Sequence, residues 1–147
     1  HLLSTLKSEQ IKLTNEYGKY TPLVVKIAPD LNSTQVISIA TLLIKHKIDG
    51  VIATNSTLSR SEVENLPNSE ETGGLSGSPL TKISTNIIRQ LHAVLKGTVP
   101  IIGVGGIMCA SDAQEKIDAG ASLIQIYTGL IYQGPELVRD AVKIFCK

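Results

Sequence analysis

The run Leu23-Val24-Val25-Lys26-Ile27-Ala28 places one ammonium in a segment otherwise apolar enough to read as a strand buried on both faces. A lone buried charge is costly and tends to lose its proton, so Lys26 asks for a partner: a neighbouring carboxylate, which would make it structural, or a ligand. The second chemical feature is Gly103-Val104-Gly105-Gly106. Glycines let a backbone approach a ligand closely, and a helix opening at Ser111 would add free amide hydrogens and a positive dipole end. That combination suits a phosphate; the plain alternative is a tight turn. Thr72-Gly73-Gly74-Leu75-Ser76-Gly77 supplies further amides and hydroxyls, or forms a lid without contacts. Asn55 carries two donors and an acceptor suited to the edge of a planar, amide-rich ring, or it caps the turn behind its strand.

These residues fall at the ends of short, β-branched apolar runs at 23–28, 50–54, 99–104 and 122–128. The runs are continuous rather than alternating, the pattern of parallel strands covered on both faces. Helical periodicity fills the intervals. Val36, Ile39, Ala40, Leu43 and Ile44 follow the capping candidates Asn32 and Ser33, and Ile83, Ile87, Ile88, Leu91 and Leu95 mark a second helix. Ser111-Asp112-Ala113-Gln114 has capping-box spacing for a third helix closing at Gly120. Pro135 opens a fourth with Leu137, Val138, Ala141, Val142 and Phe145. An earlier helix is expected over residues 2–17, with Gly18 as its stop.

Strand and helix alternating four times predict parallel βαβ units, that is, half of an eight-stranded (β/α) barrel or a small open sheet. The chain reads as a single domain over residues 1–147. In barrels, functional groups sit at the C-terminal strand ends, and phosphate sites often follow strands 7 and 8, which would be the last two here. The long polar connection over residues 55–82 reads as an active-site loop.

Composition narrows the classes. With 147 residues and 42% hydrophobic content there is enough apolar material for one core. Fourteen basic and 13 acidic residues give a net charge of +1 without a basic block, so nucleic acid is not an expected partner. No apolar run reaches the roughly 20 residues of a membrane span, and no signal-peptide pattern appears. Cys109 and Cys146 form no C-x-x-C pair and indicate neither zinc nor a disulfide framework, which fits a reducing interior. His1, His46 and His92 make no metal-binding pattern, so no metal site is expected. The first residue is His1 rather than Met, which suggests a fragment or trimmed chain.

Several stretches resemble the C-terminal half of the class 2, quinone-dependent dihydroorotate dehydrogenases. They are Val24-Val25-Lys26-Ile27-Ala28-Pro29-Asp30, Asp49-Gly50-Val51-Ile52-Ala53-Thr54-Asn55-Ser56-Thr57, Glu71-Thr72-Gly73-Gly74-Leu75-Ser76-Gly77, Pro100-Ile101-Ile102-Gly103-Val104-Gly105-Gly106-Ile107 and Ala119-Gly120-Ala121-Ser122-Leu123-Ile124-Gln125-Ile126-Tyr127-Thr128. They run in family order and cover nearly the whole chain from Tyr20 onward. The resemblance implies an α/β fold of the (β/α)8 TIM-barrel family, with this chain covering about the last four βα units. It implies FMN as cofactor, oxidation of dihydroorotate to orotate in pyrimidine synthesis, and electron transfer to a quinone.

By the same resemblance Lys26 and Thr54 would meet the flavin and Asn55 and Ser56 the substrate ring. Ser76, Gly77, Gly105, Gly106, Tyr127 and Thr128 would hold FMN, Gly106, Tyr127 and Thr128 mainly near its phosphate. Ser56 stands where the family usually has Thr, and the hydroxyl survives. The family's catalytic base, a serine after the fourth strand, has no counterpart by motif in this chain, so no catalytic residue is assigned. The isolated chain is expected not to turn over. The resemblance also places the parent protein peripherally on the cytoplasmic side of a bacterial inner membrane, or on the mitochondrial inner membrane in a eukaryote, with quinone reached through the N-terminal part. The alternative is a non-catalytic FMN- or phosphate-binding half-barrel acting as scaffold or partner subunit. Four βα units leave two open sheet edges and an apolar interior face without its other half, so self-association of the isolated chain, or poor order of its long loop, is expected.

Overall fold

The computed structural model describes residues 1–145; the expectation for Cys146 and the side chain of Phe145 lie outside them. The chain runs α1 (Leu2–Tyr17), β1 (Val24–Ile27), α2 (Ser33–Lys45), β2 (Gly50–Ala53), α3 (Leu80–Leu95), β3 (Ile101–Val104), α4 (Ala110–Asp118), β4 (Leu123–Gln125), α5 (Thr128–Gln133) and α6 (Glu136–Phe145). The strands form one 4-stranded sheet in the order β1-β2-β3-β4. Every neighbouring pair is parallel, as strands joined through helices must be.

The register sorts side chains onto two faces. Val25, Ile27, Val51, Ala53, Ile101 and Ile124 point one way, and α2 and α3 cover them with Val36, Ala40, Leu43, Ile87, Ile88, Leu91 and Leu95. This is the main core. Lys26, Ile52, Ile102 and Leu123 lie in one row across the other face. Ile52 and Ile102 are only half-buried there, Lys26 is exposed, and Leu123 is 58% exposed. The runs that read as covered on both faces are therefore open on one, the interior face that four βα units by themselves leave without its other half. Continuous apolar runs suit a barrel interior, but in this chain no second wall closes over the row.

Capping explains the helix boundaries. At α2, Asn32 Oδ1 accepts from Gln35 N and Gln35 Oε1 accepts from Asn32 N, both at 2.9 Å, a complete capping box. At α4 the box sits two residues before the expected Ser111 start. Asp112 Oδ2 accepts from the backbone N–H groups of Met108 at 2.8 Å and Cys109 at 3.0 Å. A carboxylate serves both orphan amides and complements the dipole better than a hydroxyl. Gln114 instead donates to Asp118 Oδ1 at 2.7 Å.

At the opposite end of the sheet, Asp49 ties α1 to β1 and β2. Its carboxylate accepts from the Tyr20 hydroxyl, from Leu23 N at 2.8 Å and from Gln10 Nε2 at 3.2 Å, with Lys7 Nζ at 3.6 Å. Burial opposes its ionisation, but these hydrogen bonds and the Lys7 charge prevail and hold its pKa at about 2. Among the described residues no helix is long and apolar enough to cross a membrane.

Candidate functional site

The C-terminal strand ends surround a cavity of about 360 Å³, within the usual range for small-molecule sites. Lys26 enters it from β1, and Thr54, Asn55 and Ser56 from the end of β2. Ser76 and Gly77 come from the long loop, Gly105 and Gly106 from the turn after β3, and Tyr127 and Thr128 from the start of α5. The structure therefore brings together all ten residues that the resemblance assigned to flavin or substrate. Lys26 makes no ion pair among the described residues.

At β2, Thr54 is buried; its N–H donates to Val104 O at 2.9 Å and its hydroxyl to Asn55 O at 3.0 Å. Asn55 N–H donates to Ile27 O at 2.8 Å, which stitches the strand ends together. The Asn55 side chain is exposed, lines the cavity, and has no intramolecular hydrogen bond among the described residues. Its amide is therefore available to a ligand rather than used in capping.

The long loop is fastened at several points. Thr57 and Leu75 form an antiparallel bridge with N–H···O distances of 3.0 and 2.8 Å. The Asp30 carboxylate accepts from the Thr57 hydroxyl and from Leu58 N at 3.0 Å. Arg60 Nη2 donates to the carbonyls of Glu71 at 2.9 Å and Gly73 at 2.7 Å, joining the two arms of the loop. Thr128 Oγ1 donates to Ser76 Oγ at 3.0 Å, so the loop meets α5 across the mouth of the cavity.

The glycine turn is held from behind by α3. Ser84 Oγ donates to Val104 O at 2.6 Å, and Thr81 Oγ1 donates to Gly106 O at 2.7 Å. A Cβ on Gly106, whose φ is 69°, would lie 2.2 Å from Thr81 Oγ1 and 2.3 Å from Thr81 N, so only glycine fits. The N–H groups of Gly105, Gly106 and Ile107 have no intramolecular acceptor among the described residues. These three residues line the cavity, whereas the first residues of α4, which begins at Ala110, do not.

Three participants had no individual role assigned from the sequence. Sequence reading carried the fourth strand through Thr128, whereas β4 ends at Gln125 and α5 starts at Thr128. Gly129 sets that turn, since a Cβ there would lie 2.0 Å from Ile107 O. Gly129 and Gln125 also line the cavity. Behind the site, Lys116 of α4 is fully buried, with Nζ donating to Thr81 O and Thr85 Oγ1, both at 2.6 Å. Burial pushes its pKa down to about 8, against the opposing pull of Glu115 and Asp112. Only the sequence neighbours of Gly129 signalled a turn; nothing marked Lys116 as buried.

Parallel βα units with a polar cavity at the strand C-termini, a glycine turn after the third strand and a short extra helix after the fourth define a portion of the (β/α)8 barrel class. Residues 3–144 match the family model described as dihydroorotate dehydrogenase, and the chain belongs to that family. The dihydroorotate dehydrogenase (quinone) of Nitrosospira multiformis is 60% identical over 145 residues, which are 99% of this chain and 42% of that protein. The protein of the same name from Nitrosomonas europaea is 60% identical over 146 residues, 43% of its length. The crystal structure of DHODH from Eimeria tenella in complex with ferulenol superposes with a TM-score of 0.80 at 41% identity, covering 85% of this chain and 33% of that one. The chain thus spans less than half the length of the curated relatives it matches, and it corresponds to their C-terminal part.

Proposed function

We propose that this chain is the flavin-cradling part of a quinone-dependent dihydroorotate dehydrogenase, with FMN seated in the cavity at the strand ends. The carrying observation is that Lys26, Asn55, Ser56, the loop residues Ser76 and Gly77 and the Gly105–Gly106 turn all line one cavity. The residues fit the group. An unpaired ammonium and free amide and hydroxyl groups suit a ring with polar edges, and the open N–H groups behind a glycine that no Cβ could replace suit a phosphate. The names of relatives at 60% identity supply the reaction and the acceptor.

Bound there, FMN would take up the electrons of dihydroorotate oxidation and release them to a quinone. Lys26 contributes a fixed positive charge where negative charge would develop. Asn55 and Ser56 orient the dihydroorotate ring by hydrogen bonds. The Gly105–Gly106 turn with Tyr127 and Thr128 anchors the phosphate end, and Ser76 and Gly77, resting on Thr128, shield the site from water. The serine base belongs, in this reading, to the portion of the relatives that the chain does not span. A lipid-soluble quinone acceptor supports placing the parent protein peripherally on a membrane.

The test is to graft the chain in place of the matching C-terminal segment of the Nitrosospira multiformis protein. Flavin retention with quinone-dependent oxidation of dihydroorotate is the expected result. A folded graft that retains no flavin would overturn the reading, and flavin retention without turnover would favour the non-catalytic scaffold.

A further inference from the structure

Lys116 is the largest fully buried side chain among the described residues, and it is charged. Burying an ammonium is expensive, and a methionine of similar volume would pack between α3 and α4 without that cost. What the ammonium supplies instead is position. Its two acceptors, Thr81 O and Thr85 Oγ1, lie one turn apart at the start of α3, each 2.6 Å away. Thr81 is also the residue whose hydroxyl holds Gly106 O at 2.7 Å and whose backbone lies against the α-carbon of Gly106. Ser84, in the next turn, holds Val104 O at 2.6 Å.

Carbonyl and N–H point in opposite directions across a trans peptide. With the Val104 and Gly106 carbonyls held toward α3, the N–H groups of the same two peptides, on Gly105 and Ile107, are turned away from the helix. Those are N–H groups without an intramolecular acceptor, in residues that line the cavity. The turn has no side chains of its own at Gly105 and Gly106, whose φ values are 119° and 69°, so contacts from outside it set its direction. Thr54 N–H also holds Val104 O, at 2.9 Å, so it is the Gly106 end of the turn whose orientation depends on how firmly the first turns of α3 are held.

Resting on the flavin reading above, we propose that Lys116 is a positioning residue. Its buried ammonium clamps the first turns of α3 through Thr81 and Thr85, and Thr81 and Ser84 pass that constraint to the Gly105–Gly106 turn, which keeps its amides aimed at the phosphate of FMN. Lys116 touches no ligand. Its effect is confined to the end of the cofactor that carries the phosphate.

The experiment compares FMN with riboflavin, which has the same ring and no phosphate, by fluorescence titration of the graft described above. Wild-type graft should prefer FMN. Lys116→Met should weaken FMN by roughly tenfold or more and change riboflavin by less than about twofold. Thr81→Val should act the same way, and the double variant should be no worse than the weaker single one, because both break one connection. Equal losses for the two ligands, unchanged FMN affinity, or additive effects overturn the proposal. If Lys116→Met does not fold, Thr85→Val, which removes one of the two acceptors, decides by the same comparison. A wild-type graft that binds neither ligand overturns the flavin reading itself. One that binds both equally overturns the phosphate assignment alone.

Discussion

Lys116 titrates in a range that solution experiments reach easily. The unfolded chain keeps this proton to about its ordinary value of 10.5, whereas the folded chain releases it near 8. Between those values the unfolded state binds more protons, so stability rises with pH, in total by on the order of 3 kcal/mol for this shift. The prediction is a wild-type graft that gains stability relative to Lys116→Met between pH 7.5 and 10, read from urea unfolding. Parallel profiles would show that burial does not perturb the group. Residue chemistry was unevenly legible in the sequence. Lys26 stood out because apolar neighbours made its charge anomalous, although it proved exposed on the cavity wall. Lys116 follows Glu115 in a polar helix and looks like surface; only α3 packed across it makes it interior. Asp49 was similarly silent, because its partners Gln10, Tyr20 and Leu23 come from α1 and the segment before β1.

Elements with internal signals were readable, and those fixed by contact with other elements were not. The α2 start followed from Asn32, and the end of α1 from Gly18, which adopts φ 65°. The short α5 carries no such signal; its only buried residue is Gly129, and its place depends on the backbone of Ile107. The long loop is a related case. Its polar composition read as an active-site loop without internal structure of its own, yet Arg60 binds the carbonyls of Glu71 and Gly73 and turns the excursion into a closed structure. Hydrogen bonds from a charged donor are worth about 1.5–3 kcal/mol each, so losing Arg60 should raise the open population by about tenfold or more. Arg60→Ala is therefore expected to be cut faster by an endoproteinase specific for Glu, at Glu62, Glu64, Glu70 or Glu71. Unchanged cleavage would mean that the Thr57–Leu75 bridge and the Asp30 contacts hold the loop unaided.

At the scale of the whole molecule, strand and helix alternation disclosed the βα order, and the polar strand ends disclosed where the site lies. The uncovered sheet face followed from counting four βα units, not from the strands themselves, because strands written for a closed barrel have the same apolar runs whether or not the opposite wall is present. In this chain β1 and β4 are edges, Ile52 and Ile102 are half-buried, and Leu123 is 58% exposed. Helix α1 adds an apolar stripe, with Leu2 at 70%, Leu6 at 39% and Leu13 at 44% exposure. Unpaired parallel edges and an open apolar face both favour association. The chain expressed by itself is accordingly expected to form dimers or larger species whose mass by light scattering rises with concentration. Adding the N-terminal part of the Nitrosospira multiformis relative should convert them to a one-to-one complex, because that part would cover the same face and pair the same edges. A single monomer mass at every concentration, unchanged by the added part, would mean that the open face is tolerated in water and that closing the barrel does not drive assembly.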